Sequence, residues 1–323
     1  MALDSRPLVA FDLDRTLMPA GREREFKQIL ALAGELGIED PQAFADAAWV
    51  EANRLFVEAC PQYARCKTAH GAFGISAHEL LWGDPLSEAV MGEFRASHKT
   101  EDEVFFEDLQ EWAERFRPLV WKKALEVVGA DVSKVDTCIE RFAAMQKAPD
   151  AFALFQGVPA LLKDLRTFGA RLVLVTNGAP AIQRWKIDHA VPHPNDAMAP
   201  GWAFSEAFDR LVISGIHGSG KPFPGIFHVA RSDSGANNPI MVGDNFRCDV
   251  EGAQGARWTD SATTIEWQTL WLSGGQKVPQ GAQQPTRTVH DFAGVRLALA
   301  NLLGSESLRT ASDWRNRVGM DGN

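Results

Sequence analysis

Val9-Ala10-Phe11-Asp12-Leu13-Asp14-Arg15-Thr16-Leu17 is the stretch on which the reading of the whole chain turns. The apolar run from Leu8 to Phe11 reads as a buried parallel strand, and it delivers two aspartates at i and i+2, then a hydroxyl. Open α/β sheets place their ligands where strands end at their carboxyl edge. Two carboxylates this close resist joint ionisation unless a cation lies between them, which points to a hard metal such as Mg²⁺. Taken alone, the stretch also reads as a strand closing in a capped turn, because Asp and Thr are ordinary cap and turn residues. The rest of the chain decides between the two.

Composition sets the bounds. The 323 residues are 45% hydrophobic and 23% charged, which suits two modest domains or one large one with ample core. A net charge of −9 argues against a general nucleic-acid or anionic-membrane binder, which needs a basic face. It leaves room for an anionic small substrate, since one metal and one lysine can set the local field. No run approaches the ~18 apolar residues of a membrane span, and no charged-then-apolar leader precedes Leu8, so no membrane association is expected. Cys60, Cys66, Cys138 and Cys248 are too few and too irregular for a disulfide scaffold, so a reducing cytoplasm is expected.

Beyond Leu17 the pattern becomes helical as far as Met145. Phe26, Ile29, Leu30, Ala33 and Leu36 share one helical face, and Asp40-Pro41 reads as an N-cap followed by proline in the first turn. Ser76 and Glu79 have capping-box spacing ahead of Leu80-Leu81-Trp82, and Val90 and Phe94 lie one turn apart. Phe105, Leu109, Trp112 and Phe116 form a stripe before Pro118, and Val135, Ile139, Phe142 and Gln146 close the series. Such aromatic stripes are core material. From Phe155 onward helices alternate with strands. Strands are expected at 171–177, 211–213 and 239–244 with a further one at 263–267, and helices at 159–168, 179–189, 222–231 and 250–255. That alternation calls for a parallel sheet with right-handed crossovers. A lone N-terminal strand must then join the C-terminal sheet, which makes the helical block an insertion. Residues 273–288, rich in Gly, Gln and Pro, read as a flexible loop.

Three further stretches complete a site. Val173-Leu174-Val175-Thr176-Asn177-Gly178 ends a strand in a hydroxyl, an amide and a glycine just before a helix, a geometry suited to an anion such as phosphate. Gly215-Ile-His-Gly-Ser-Gly-Lys221-Pro222 nearly satisfies the phosphate-loop pattern of ATP-binding proteins. Pro222 occupies the position of the magnesium-binding hydroxyl, so that reading is rejected; what survives is a lysine held by glycines and a proline at a helix start. Ile240-Met-Val-Gly-Asp244, with Asp249 five residues on, repeats the logic of Asp12. Other clusters fare worse. Pro192 and Pro194 keep His189 and His193 off one helix, and Cys60, Cys66 and His70 lack a fourth ligand for zinc.

In this order, Asp-x-Asp-x-Thr, Thr-Asn-Gly, Lys-Pro and Gly-Asp-x₄-Asp resemble the haloacid dehalogenase superfamily of aspartyl-nucleophile hydrolases. The Thr-Asn-Gly form, with Gln183 five residues after Gly178, is similar to the branch containing nucleotidases and N-acylneuraminate-9-phosphatase. The resemblance implies an α/β fold: a Rossmann-like parallel sheet core at 1–18 and 151–304, an inserted all-α cap domain at 19–150, and a C-terminal tail at 305–323. It implies a phosphatase acting on a small phosphorylated metabolite, a sugar phosphate or a nucleotide. Asp12 would be the nucleophile and Asp14 the general acid and base. Mg²⁺ would be held by Asp12, the Asp14 carbonyl and Asp244, with Asp249 orienting Lys221 or a metal-bound water. Thr176 and Asn177 would hold phosphate oxygens while Lys221 balances charge. Arg15 departs from the small or amide residue common at its position. A phosphomutase and a catalytically silent scaffold of the same fold are the alternatives, and substrate identity is expected to lie in the cap.

Overall fold

The computed structural model describes residues 5–19, 22–59, 100–146, 148, 152–178, 180–196, 201–259 and 264–310. Six strands form one parallel sheet: β1 (Leu8–Phe11), β2 (Arg171–Thr176), β3 (Arg210–Ile213), β4 (Ile240–Gly243), β7 (Gln268–Leu272) and β8 (Arg287–Val289). Their spatial order is β3-β2-β1-β4-β7-β8, so the N-terminal strand lies in the middle, between β2 and β4. Every pairing is parallel. The strands follow from their composition. LVAF, RLVLVT and IMVG are continuous apolar runs because both faces of the sheet are covered.

Alternation along each strand divides the core in two. Val9, Phe11, Leu172, Leu174, Ile240 and Val242 face one layer; Leu8, Ala10, Val173, Val175 and Met241 face the other. The first layer is closed by helices Val158–Phe168 and Phe292–Leu303, the second by helix Pro224–Arg231, whose Ile226, Phe227 and Ala230 are buried. This is a doubly wound α/β core, and its order reverses at β1.

Among the described residues, the stretch between β1 and helix Val158–Phe168 contains the α-helices α1 (Arg22–Glu35), α2 (Pro41–Ala59), α3 (Thr100–Val127) and α4 (Val135–Gln146). The Asp40 carboxylate accepts the Ala43 N–H at 2.9 Å and caps α2, as the Asp-Pro pair predicts. Ile29 and Ala33 of the α1 stripe are buried and Phe26, Leu30 and Leu36 pack beside them. Trp121 is the hub of the block: its ring stacks on Phe44 at 6.0 Å and meets Phe142 at 5.2 Å. The long α3 continues through Pro118, which removes one N–H donor; Phe116 and Val120, Trp121 and Ala124 bury on either side and carry the helix past it. Ser76, Glu79, the 80–82 run, Val90, Phe94, Cys60, Cys66 and His70 lie outside the described residues, as do the side chains of Phe105 and Leu109. Among the described residues no helix is long and apolar enough to cross a membrane.

The C-terminal part departs from the sequence expectation at 264–265, at 287–288, which lie in β8 rather than in the expected 273–288 loop, and at 306–310. Thr264–Ile265 pairs antiparallel with Trp258–Thr259, making a separate two-stranded ribbon, β5 (Trp258–Thr259) with β6 (Thr264–Ile265), rather than a last sheet strand. The sheet is extended instead by β7 and β8, and the Gly/Gln/Pro-rich stretch is the connection between them. The apolar run around Trp267 leaves the starting point of the strand open, and contact with β4 selects Gln268–Leu272. Residues 306–310, expected as the start of a tail, form a short helix with Leu308 buried and its carbonyl accepting from Arg296 Nε at 3.2 Å.

Trp121→Ala is expected to lower stability by about 3–5 kcal/mol, the usual cost of emptying a buried tryptophan site. Urea unfolding of the variant beside the parent measures it.

Candidate active site

The four motif stretches meet at the carboxyl edge of β1, β2 and β4, where the strand order reverses. Asp12 follows β1 directly, and its N–H continues the ladder to the Val242 carbonyl at 2.9 Å. The chain then doubles back: Leu17 N–H bonds to the Leu13 carbonyl at 2.9 Å, Arg15 N–H to the Met18 carbonyl at 2.7 Å, and Arg15 takes a left-handed φ of 64°. Phe155, on the segment returning from the helical insertion, donates its N–H to the Leu17 carbonyl at 2.9 Å. Entry to and exit from the insertion are therefore tied together beside Asp12.

Lys221 joins the stretches. Its Nζ lies 2.5 Å from Asp12 Oδ1 and 2.7 Å from Asp249 Oδ1, and all three side chains are buried. The lysine's backbone is held from β2: Asn177 Nδ2 donates to the Lys221 carbonyl and Lys221 N–H donates to Asn177 Oδ1, both at 2.8 Å. The Asn177 side-chain amide is thus a clamp on the lysine loop. Thr176 makes a long contact of 3.5 Å to the Asn177 carbonyl. Gly178 N–H is capped by Ser214 Oγ at 2.9 Å; a Cβ on Gly178, whose φ is 153°, would run into the Gln183 side chain.

Asp249 is more than a helix cap. It lies in a π-helical turn (Phe246–Glu251), its Oδ2 accepts the Asn245 N–H at 2.9 Å, and its side chain packs over Gly243. Any Cβ at Gly243 would overlap that carboxylate, which explains the glycine between the strand and Asp244. Asp244 itself has its carbonyl held by Trp271 Nε1 at 2.9 Å and its Oδ2 facing Arg15 Nε at 3.4 Å. Oxygens of Asp12, Asp244 and Asp249 lie within 4.8 Å of one another.

Charge balance follows from this packing. Burial pushes the Asp12 carboxyl well up, Lys221 pulls it back, and the neighbouring Asp249 and Asp244 push it up further; the net direction is upward. Asp244 is raised to about 6 by burial and by Asp249, against Arg15 and Lys221. Burial pulls the Lys221 ammonium down, but Asp12 and Asp249 outweigh it and hold the charge in place. One buried lysine does not neutralise three carboxylates. The all-oxygen donor set and its unmet negative charge fit a hard divalent cation.

Asp14 is treated differently. Burial acts to raise its carboxyl, but Lys186, at 3.0 and 2.8 Å from its two oxygens, prevails together with Arg24 and Gln183 and brings it below the ordinary range. Gln183 Nε2 reaches Asp14 at 3.3 Å and the Asn177 carbonyl at 3.0 Å. Lys186 was not singled out in the sequence. Its spacing of three from Gln183 on helix Pro180–Asp188 was the available signal, because residues at i and i+3 share a face. His189 stacks on Trp185 and His193 accepts the Asn195 N–H at 3.2 Å, so neither is brought to the site.

Residues 7–257 match the family model of haloacid dehalogenase-like hydrolases. The chain belongs to that family. Among curated proteins, this hydrolase is 28% identical over 242 residues to a phosphoserine phosphatase of Thermus thermophilus, covering 74% of this chain and 86% of that protein. Two solved dehalogenase structures share the fold, with TM-scores of 0.52 and 0.50 at 13% and 12% identity. Each alignment covers 93% of this hydrolase and 99% or 98% of the other chain.

Two outcomes test the geometry. Asp14→Asn leaves the Lys186 ammonium buried without its carboxylate and is expected to cost about 1.5–3 kcal/mol at pH 7. The Asp14 carboxyl is lowered in the folded state, so its contribution is complete above the unfolded value near 3.9 and is lost as pH falls through the folded value. The deficit measured by denaturant unfolding therefore narrows as pH falls below about 4. Gly243→Ala is expected to displace Asp249, lowering the melting temperature and abolishing turnover, whereas Gly255→Ala, where a Cβ meets nothing, changes neither.

Proposed function

We propose that the chain is a phosphoric monoester hydrolase that takes the phosphoryl group of a small phosphorylated metabolite, a sugar phosphate or a nucleotide, onto Asp12 and releases it to water. The observation that carries this reading is the second carboxylate: Asp14, two residues beyond Asp12 on the same loop and fixed by Lys186 and Gln183. A halide leaving group needs no proton, so a dehalogenase has no use for an acid there, while an alkoxide leaving group does.

In this reading Asp12 attacks phosphorus in line, forming an aspartyl-phosphate and releasing the alcohol. Asp14 donates the proton to the leaving oxygen and then takes one from the water that attacks the intermediate. Its lowered range leaves it ionised at neutral pH in the resting protein, so the proton that it passes to the leaving oxygen comes from the entering monoanionic phosphate ester. Lys221 screens the approach of the phosphate to Asp12, held there by Asp249 and by Asn177. The Thr176 hydroxyl and the main chain of Asn177 bind phosphate oxygens. Mg²⁺ would be held by Asp12, the Asp14 carbonyl and Asp244, with Asp249 behind them, and supplies charge neutralisation for the incoming phosphate. The phosphatase relative supports the class of reaction. Cys138 and Cys248 are both free thiols, which suits a reducing cytoplasm.

Phosphate release from a panel of sugar phosphates, nucleotides and phosphorylated acids, with Mg²⁺ and with EDTA, tests the proposal. Release is expected with Mg²⁺ only, and Asp12→Asn is expected to lower it by at least a thousandfold while the protein remains folded by circular dichroism. Retained turnover in Asp12→Asn removes the nucleophile assignment; transfer of phosphate within the substrate without release makes the protein a mutase.

A further inference from the structure

A cavity of about 410 Å³ opens beside the carboxylate cluster, over the ends of β4, β7 and β8. Asp244 and Arg15 line it, so it shares a wall with the catalytic centre, yet the chemistry above does not use it. Phe155 and Phe292, stacked with ring centroids 6.4 Å apart, form an apolar wall with Leu272. His290 lines the cavity and its ring makes no hydrogen bond among the described residues. Inorganic phosphate fills a small part of such a volume, and so does a three-carbon alcohol; cavities of this size hold larger organic molecules.

Arg15 gives the cavity its charge. A non-glycine residue at φ 64° is an outlier that persists where the surroundings impose it, and here the folded-back Leu13–Met18 loop does so. The strain aims a long cation along the cavity wall. Its side chain is 63% exposed, and its contact with Asp244 is a 3.4 Å approach through Nε alone. The guanidinium makes no other ion pair or hydrogen bond among the described residues, which leaves most of a five-donor fork open on a residue that lines the cavity. A planar fork of that kind matches a carboxylate in two-point contact. A cation held so loosely by Asp244 contributes little to stability, so packing gives no reason for it.

We propose that this cavity receives the alcohol half of the phosphomonoester, that this half is a carboxylic acid larger than serine, and that Arg15 is the residue that reads the acid. The inference rests on the phosphatase reading and replaces the sugar phosphate or nucleotide named there by a phosphorylated carboxylic acid. Specificity then lies partly on the core, in Arg15 and in the segments 155–156 and 290–293, rather than in the helical insertion alone.

The test compares a matched pair of esters, phenyl phosphate and 4-carboxyphenyl phosphate, with O-phosphoserine as the smaller acid, on the parent protein and Arg15→Gln in Mg²⁺. The parent is expected to favour the carboxylated ester over both others by about 10- to 100-fold in kcat/KM, the usual worth of a charge-assisted pair. Arg15→Gln should bring the ratio of the two aryl esters close to one, mainly through KM, with an unchanged melting temperature. No preference in the parent, or an equal loss on both esters in Arg15→Gln, overturns the inference and leaves the phosphatase standing. If neither ester is hydrolysed the phosphatase reading is in question, and calorimetric binding of 4-carboxyphenylphosphonate decides the cavity. Binding weakened at least tenfold in Arg15→Gln supports it, and no binding, or binding unaffected by the substitution, overturns it.

Discussion

The buried Lys221 ammonium holds the carboxylate cluster together. Lys221 lies between Asp12 and Asp249 at 2.5 and 2.7 Å, and removing any ion of this kind from water costs several kcal/mol before pairing returns it. The chain meets that cost with close ion pairs, with the Asn245 N–H on Asp249, and with the double clamp from Asn177 to the lysine backbone. Three strands and two loops must therefore be in register for the charges to balance. β1 brings Asp12, β2 brings Asn177, and the stretch after β4 brings Asp244 and Asp249, which is why the N-terminal strand has to sit in the middle of the sheet.

The same arrangement leaves an excess of negative charge. Lys221 satisfies two carboxylates, and Asp244, raised to about 6, meets only the exposed arm of Arg15. A site built for permanent stability would not keep three acids around one base, since a like charge nearby and burial both oppose ionisation. A site that has to take up a cation and then a phosphate, as in the proposed reaction, gains from that excess. Asp14 stands apart from the cluster because Lys186 claims it, so the two aspartates of one short motif have opposite environments and opposite shifts.

The helical insertion and the core are one packed body around the loop between them. A continuous apolar cluster runs from Ile29 and Trp121 to Leu162 and Leu299, and the Phe155 to Leu17 hydrogen bond ties the two crossings together. Movement of the insertion would therefore be felt at Leu13–Met18, the segment that carries Asp14 and Arg15. Asp14 and Arg15 are thereby tied to the position of the helices through the backbone of that segment.

Much of this was legible in the chain itself, for local reasons. Apolar runs ending in acids announce strand ends, the Asp-x-Asp-x-Thr, Thr-Asn-Gly, Lys-Pro and Gly-Asp-x₄-Asp order identifies the family, and helical stripes such as Phe26 to Leu36 mark the insertion. Asp12, Asp244, Asp249 and Lys221 could all be named without coordinates, because each sits in a short motif whose residue types have few other uses together. Only the tertiary structure decided the remainder. That Lys186 claims Asp14, that the Asn177 amide clamps the lysine loop, that β7 begins at Gln268 rather than at 263, and that Arg15 lines a cavity over the end of β8 all depend on contacts between residues far apart in sequence. Local propensity is nearly silent on such contacts. A surface-type lysine, a turn asparagine and a loop arginine look ordinary until packing removes the water around them and leaves one partner within reach.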